Sequence, residues 1–551
     1  MLRKFRSRLR RRSGRGYRLA DLALASIGQP RLFLAAFRHV TRRRARMVES
    51  GLRLAENRVA LATTGAGPLD RPALIVGLAG QSGIVLLAED AEQVRLGLAE
   101  VDLLSALWWL GQATHAPRIM IGGAAVSFAS HDFRSRALAA REIAVHYTRP
   151  GGRADTIILE PYFCHEAGKW VSANPANTEA RALYDARLET PGLTRLDDLL
   201  GAPSFDQRWR AREIDLVYTW VNHADPDWAA LYRQHRAELD RPGDGPRPQS
   251  DDATALTRFH SNDELRYSLR SVAQNLPWVR QIYVLSNCAP PDWLDTGHPR
   301  LRWVRHDEVI PPEYLPTFNS HVIESCLHRI PGLAGHFIYM NDDFFVARPL
   351  GKPFFFDGNG AARALLEPYG KVLGPVVEGA PDYLNAARNS AALIRETFGF
   401  VPTRLHRHAP YALRRDVMAE IEARWPAQIA ATRRNLFRTA HDLNVASFLA
   451  HHYGLATGRT TLGAGRSVLV KSQDVRWRTQ LAQALADTTD VFCINEGGAD
   501  PPGRDWQRTV RRALAARWPE AAGWEHDCRR ASGREAEAEA PAWPAALRRV
   551  Q

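Results

Sequence analysis

An acidic pair set into an apolar run is the first feature of this chain that could do chemistry. Asn341-Asp342-Asp343 follows Phe337-Ile-Tyr-Met340 and precedes Phe344-Phe-Val346, flanks that argue against a solvated surface. Hard oxygen ligands of this kind suit Mg²⁺ or Mn²⁺. A turn cap is the structural alternative for either acid. Glu324 has His321 three residues before it and His328 four after, three groups that one helix face would share, with a surface ion pair as the plainer account. Arg407-His408-Ala-Pro410 sets a histidine beside a proline-fixed turn, and Phe437-Arg438-Thr-Ala-His-Asp442 sets an arginine four residues before an acid, on what reads as a helix. Phosphoryl transfer uses a planar cation to hold phosphate oxygens and a group that titrates near neutrality, and these motifs supply both. Glu264 is different. Ser261-Asn-Asp-Glu264 has the spacing of a capping box, which puts Glu264 at the third helical position and assigns it no catalysis.

The elements that must position these residues read as an α/β order. Ile214–Val221 is a β-branched and aromatic run ending at the turn Asn222–Pro226. A polar loop, Arg241–Pro248, precedes a helix running to about Asn275. Strands follow at Gln281–Ser286 and Leu301–Arg305, then a helix over Asn319–Ile330 and a strand over His336–Met340. In such sheets ligands gather at the carboxyl ends of the strands, which singles out Asn222, Asp225, Ser286, Asn287 and Asn341–Asp343. His406–Tyr453 reads as almost wholly helical, with Trp425, Phe437, Phe448 and Tyr453 as core. Upstream, Ala73–Val76, Ile84–Leu87, Arg118–Ile121 and Thr156–Leu159 read as strands. The glycines of Gly77-Leu-Ala-Gly-Gln-Ser-Gly83 lack the Lys-Ser/Thr of a phosphate loop and read as a hairpin turn.

Nine basic residues and no acid fall within the first twenty positions, so most of the formal charge of +13 sits in an N-terminal arm. Such an arm is drawn to anionic lipid headgroups, although a solvated tail is an equal reading, and the body gives no reason to expect nucleic acid. No secretory signal is recognisable. Five scattered cysteines without a Cys-x-x-Cys pair speak against a disulfide framework or a zinc site and point to a reducing, cytoplasmic setting. The division expected is a basic arm with amphipathic helices over 1–63, a small α/β or α+β domain of no assigned role over 64–210, a main domain over 211–525, and a disordered tail over 526–551.

Taken in order, these blocks resemble the Stealth family of bacterial capsular polysaccharide sugar-phosphate transferases and the animal lysosomal-enzyme N-acetylglucosamine-1-phosphotransferase. Ile214–Asn222 resembles the first conserved block. Asn262–Ser271, Pro277–Tyr283, Leu315–Phe318, Ile323–Ser325 and Tyr339–Asp343 resemble the second, His408–Pro410 with Phe437–Asp442 the third, and Cys493–Asn495 with Trp518–Pro519 and Trp524–Glu525 the fourth. Glu496 stands where the family usually has Asp. The resemblance implies an α/β nucleotide-sugar-binding core similar to that of metal-dependent glycosyltransferases, with a helical C-terminal region. It implies catalytic roles for Glu324, Asp343, His408 and Arg438, with His408 or Asp343 as the base. A Mg²⁺ or Mn²⁺ ion would be held by Asp343 with Asp342 or Asn495, and Tyr218, Thr219, Trp220, Asn222, Arg270 and Asn287 would bind substrate. The implied reaction moves a sugar-1-phosphate from a UDP-sugar to a glycan hydroxyl and releases UMP, on the cytoplasmic face of the membrane. A conventional glycosyltransferase releasing UDP, or a non-enzymatic membrane-surface protein, are the alternatives.

Overall fold

The structure, a computed structural model, describes residues 70–526 except 112–116, 128–129, 131, 150–151, 167–168, 175–176, 178–179, 181, 184–187, 189–203, 240–253, 255–258, 260, 262 and 497–501. The basic arm, the Arg241–Pro248 loop, Asn262 and the tail from 527 onward therefore lie outside the described residues. Contacts divide the chain between Ala211 and Arg212 into two units.

In the first unit, Asp70 accepts from the Ala73 N–H at 2.7 Å and Pro72 stands in the first turn, so the chain enters a helix, α1 (Arg71–Gln81), where Ala73–Val76 read as a strand. Gly77 is explained by packing, since a Cβ there would come within 1.9 Å of the Trp109 ring. Strands β1 (Ile84–Glu89), β2 (Gln93–Ala99), β3 (Arg118–Ile121), β4 (Ala124–Ala125), β5 (Ile143–Thr148) and β6 (Ala154–Glu166) form one sheet in the order β1-β2-β6-β5-β3-β4, extended beyond β6 by β7 (Lys169–Ser172) and β8 (Ala182–Leu183). Leu74, Ile75 and Leu78 of α1 pack with Leu103, Leu107 and Leu110 of α2 (Leu103–Gly111) in one core with Val94, Leu96, Val145 and Ile157 of the sheet.

The second unit is built on a five-stranded sheet in the order β11-β10-β9-β12-β15: β9 (Ile214–Thr219), β10 (Ile282–Ser286), β11 (Leu301–Arg305), β12 (His336–Asn341) and β15 (Tyr411–Arg414). The first four are mutually parallel and β15 runs antiparallel at the edge. Parallel neighbours need crossovers, supplied by α3 (Pro226–Leu239) and α4 (Glu264–Asn275) between β9 and β10, and by α5 (Ser320–Ser325) before β12. Every residue of β9 but Thr219 is buried, as expected for a strand covered on both faces. Buried Asp215 on β9 is satisfied by Arg280 at 2.6 and 2.8 Å and the Ala334 N–H at 2.7 Å.

The carboxyl ends of β9 and β12 meet, with Asn341 opposite Thr219. After Asp342-Asp343 the chain leaves this sheet and enters a second, in which β13 (Phe344–Val346) pairs with β18 (Val491–Asn495), itself parallel to β17 (Ser467–Lys471), while β14 (Ala362–Ala364) and β16 (Thr460–Leu462) form a separate parallel pair. Phe345, Phe492 and Trp518 form a cluster of near-parallel rings, 4.8, 5.6 and 6.1 Å apart, that anchors the chain just after that turn. The acidic pair is thus the hinge between two sheets. Within 406–453 the structure departs from an all-helical reading. β15 interrupts it, and α6 (Arg415–Arg424) and α7 (Pro426–Arg433) are followed by a loop over 434–444 before the chain turns helical again at Val445. Trp425, Phe437, Phe448 and Tyr453 are buried. Both units have the α/β character the sequence implies. Among the described residues no helix is long and apolar enough to cross a membrane.

Candidate active site at the junction of two sheets

Tyr339, the last aromatic of β12, lies under the meeting point of the strand ends. Its hydroxyl is 3.0 Å from Thr219 Oγ1, 2.8 Å from Asn341 Oδ1 and 3.4 Å from Glu324 Oε1. With one proton to give, it donates to one of these oxygens while accepting from Thr219. Glu324 comes from α5, which is held in place by its cap: Asn319 accepts from the His321 N–H at 3.0 Å. The other Glu324 oxygen, Oε2, is buried with no hydrogen-bond partner.

Asp343 is fixed at one end only. Its Oδ2 accepts from the Cys493 thiol at 3.3 Å, its carbonyl accepts from the Ile494 N–H at 3.0 Å, and its Oδ1 is buried without a partner. Burial, with a contribution from Glu496, pushes its carboxyl up to about 7 against the pull of the Cys493 thiol. Asp342 is held well above the usual carboxylate range by burial first, then by Asp343 and Glu264. The capping box expected around Glu264 does not form. Asp263 takes a left-handed conformation (φ 67°), Glu264 becomes the first helical residue, and its buried side chain acts electrostatically on Asp342.

Arg438 stands in the 434–444 loop and not on the helix that the sequence suggests, and no described ion pair joins it to Asp442. Asp442 instead knots the loop onto the start of α5, accepting from His321 Nδ1 at 3.0 Å, Asn319 Nδ2 at 2.9 Å, Asn435 Nδ2 at 2.7 Å and the Thr439 N–H at 3.1 Å. This delivers Arg438 to Ser320, whose hydroxyl its Nη2 reaches, on the helix that carries Glu324. Arg438 Nε is buried and unpartnered. Tyr411 on β15 closes the floor, stacked 5.7 Å from Tyr339, its hydroxyl held well above its ordinary range by burial, Glu324, Cys493 and Asp343.

Other candidate residues spread out. Tyr218 is fully buried with its hydroxyl 2.7 Å from Ser268 Oγ, an internal tie between β9 and α4. Arg270 is engaged by Glu525 at 2.6 and 2.7 Å and by the Trp518 carbonyl at 2.9 Å, so its fork holds the end of the domain onto α4. Asn222 Oδ1 caps its own turn through the Ala224 N–H at 3.0 Å, Trp220 packs edge-on against Trp303, and Asn287 is half-buried just beyond β10. Asn495 lies two residues beyond Cys493 on β18, which gives it the same face. Glu496 accepts from Trp506 Nε1 at 2.7 Å. His408 has an exposed surface but sits among enough protein that desolvation, with Lys471 and Lys371, lowers it to about 4. No described hydrogen bond joins it to Asp343 or Glu324. Tyr339, Tyr411, Cys493 and Ser320 are the members that sequence reasoning missed. Only Tyr339, two residues from Asn341 on one strand face, carried a local signal.

The conserved regions 1, 2 and 3 of Stealth proteins match residues 212–240, 258–364 and 407–455. The capsular polysaccharide phosphotransferase SacB of Neisseria meningitidis serogroup A is 36% identical over 376 residues, which cover 66% of this chain and 67% of that protein. The chain belongs to the Stealth family. An exopolysaccharide phosphotransferase of Streptomyces coelicolor is 41% identical over 299 residues, 54% of this chain and 49% of that one. The galactosyltransferase LgtC, in complex with donor and acceptor sugar analogues, superposes with a TM-score of 0.29 at 13% identity over 57% of this chain and 99% of that chain, too slight a likeness to bear on the chemistry. In this Stealth chain Glu324 and Asp343 lie within conserved region 2, and His408 and Arg438 within conserved region 3.

Proposed function

We propose that this Stealth-family chain transfers a sugar-1-phosphate from a UDP-sugar to a glycan hydroxyl and releases UMP. The chain is a phosphotransferase of capsular or exopolysaccharide synthesis, as its relatives' names indicate. One observation carries the reading: Glu324 Oε2, Asp343 Oδ1 and Arg438 Nε are all buried without a protein partner, at three of the four positions to which the family resemblance points. Eighteen buried polar atoms lack a partner among the described residues, and these three are the ones contributed by α5, the acidic turn and the 434–444 loop, where a ligand's phosphate and sugar groups would complete their bonding.

The donor set also fits a divalent cation. Asp342 and Asp343 are two oxygen ligands whose charge burial disfavours, and among the described residues no group of three His, Cys, Asp or Glu side chains forms a cage by itself. That combination suits Mg²⁺ or Mn²⁺ shared between one or two carboxylates and substrate phosphates, with Asn495 on the same face as Cys493 in support. Such an ion neutralises charge on the pyrophosphate when bound.

In the reaction, the acceptor oxygen forms a bond to the sugar-bearing phosphorus while the bond from that phosphorus to the bridging oxygen breaks and UMP leaves with the electron pair. Arg438, braced by Ser320, holds non-bridging oxygens, and Glu324, oriented by Tyr339, hydrogen-bonds the donor. The hydroxyl proton goes to His408 or to Asp343, the two groups that the resemblance offers as base. The basic arm would keep the enzyme at an anionic membrane surface on the cytoplasmic side. The test is transfer from a panel of UDP-sugars with Mg²⁺: EDTA should abolish phosphodiester formation and Mg²⁺ or Mn²⁺ restore it, whereas full activity after exhaustive chelation would remove the metal from the mechanism.

A further inference from the structure

His408 stands on a short turn, 407–410, between two lengths of paired backbone. On one side the Arg407 N–H donates to the Leu365 carbonyl and the Glu367 N–H to the Leu405 carbonyl, each at 2.8 Å, so 405–407 run antiparallel to 365–367. On the other side β15 begins at Tyr411, which pairs with Tyr339 of β12. His408 stands three residues before Tyr411, and Asp342 three residues after Tyr339. In this antiparallel pair the turn and the acidic pair therefore leave the sheet at the same edge.

The side chain at the foot of the turn is buried His406. Its Nε2 accepts from the Leu365 N–H at 3.0 Å, and its Nδ1 lies 2.8 Å from the Arg407 carbonyl. An amide N–H can only donate and a carbonyl can only accept, so Nδ1 carries the proton and Nε2 does not. Burial lowers the imidazole to about 3, which keeps that one neutral tautomer at neutral pH. The carbonyl it holds belongs to the planar peptide unit that enters His408, so the bond fixes the orientation of that plane. The ring also spans the turn. It lies edge-on to Tyr411 at 4.8 Å, with His451 stacked 4.5 Å away, and Tyr411 stacks on Tyr339, whose hydroxyl reaches Glu324. Packing alone would be served by any flat ring of this size, and the nitrogens add the bond next to His408.

We propose that His406 is a positioning residue for His408: its Nδ1–H and its ring hold the 407–410 turn, so that His408 is presented to the reacting groups at the acidic edge of the sheet. The inference rests on the phosphotransferase reading and deepens it, since it adds a residue that touches no substrate and acts through His408.

The test uses the full chain with His406→Phe, which keeps a ring and removes both hydrogen bonds, and with His406→Asn, whose amide can still donate to the Arg407 carbonyl. Each is made in the parent and in a His408→Ala background, with folding checked by thermal unfolding. His406→Phe should lower turnover per folded molecule by about 10²-fold, the cost of a misplacement of about 1 Å, with donor KM little changed, and His406→Asn should recover most of that loss. In the His408→Ala background neither substitution should lower turnover further, because the residue they act through is gone. Hydrogen exchange reads the turn without turnover: the amides of Arg407, His408 and Ala409 should exchange faster in His406→Phe, while those of Ala412–Arg414 in β15 keep the parent's rates. Equal losses in both backgrounds, unchanged exchange across the turn, or a His408→Ala protein that transfers at the parent's rate would overturn the positioning role. A parent protein that shows the exchange contrast yet transfers no sugar phosphate would contradict the phosphotransferase reading alone.

Discussion

Two acids, one in each unit, answer desolvation in opposite ways. Asp155 on β6 is raised by desolvation, but Arg71 at 2.7 and 3.0 Å, the Tyr147 hydroxyl at 2.7 Å, the Thr156 N–H at 2.9 Å and Arg149 outweigh it and bring the carboxyl down to about 2. Asp343 is also raised by desolvation, has a weak thiol donor and no side-chain cation bonded to it, and ends at about 7. The chain supplies everything that Asp155 needs and leaves Asp343 incomplete. An acid satisfied by its own fold is structural, and an acid left short at the end of a parallel sheet is held for a ligand.

The signs of the two pH dependences are opposite as well. Asp155, depressed in the fold, contributes stability present above its unfolded pKa and lost as pH falls toward about 2. Asp343, raised in the fold, contributes stability present below its unfolded pKa and lost as pH rises through about 7.

The largest expected effect is on turnover in Asp343→Asn, a loss of about 10³-fold or more, equivalent to about 4 kcal/mol. In EDTA the same variant should melt higher than the parent at pH 8, by roughly 1–3 kcal/mol of stability, and show little gain at pH 5. A melting temperature that drops at pH 8 would place Asp343 with Asp155 and erase the contrast. Next, Asp155→Asn should cost about 3 kcal/mol in urea unfolding, because it strips the partner from two arginines, while turnover per folded molecule stays at the parent's value. Smaller again, Arg438→Lys keeps the charge but loses the planar fork. We expect about a 10²-fold drop in turnover, about 2.7 kcal/mol, with stability within about 1 kcal/mol of the parent and donor affinity little changed. Equal weakening of donor affinity and turnover would mean that Arg438 holds the ground state as firmly as the transition state.

Local signals were legible where one segment decides the outcome. β11 and the start of β9 fall where their apolar runs place them, and Asp342-Asp343 stood out because Phe337–Met340 and Phe344–Val346 enclose it. Where partners are distant, the local pattern misled or was silent. Cys493 meets Asp343 across 150 positions, through a pairing of β13 with β18 that no short motif records. The loop bearing Arg438 has a helix-like composition, but Asp442 satisfies four side chains and backbone groups from two segments, and that overrides propensity. The α1 start was a local signal passed over, since Asp70-Arg-Pro72 marks a helix entry.

Following the phosphorus separates transfer of a sugar phosphate from transfer of the sugar alone. A UDP-sugar labelled at the sugar-bearing phosphorus is incubated with the full chain, Mg²⁺ and a glycan acceptor, and the products are separated and counted. The label is expected in the acceptor as a phosphodiester, with UMP released unlabelled. Label retained in UDP, with an unlabelled sugar on the acceptor, would contradict it.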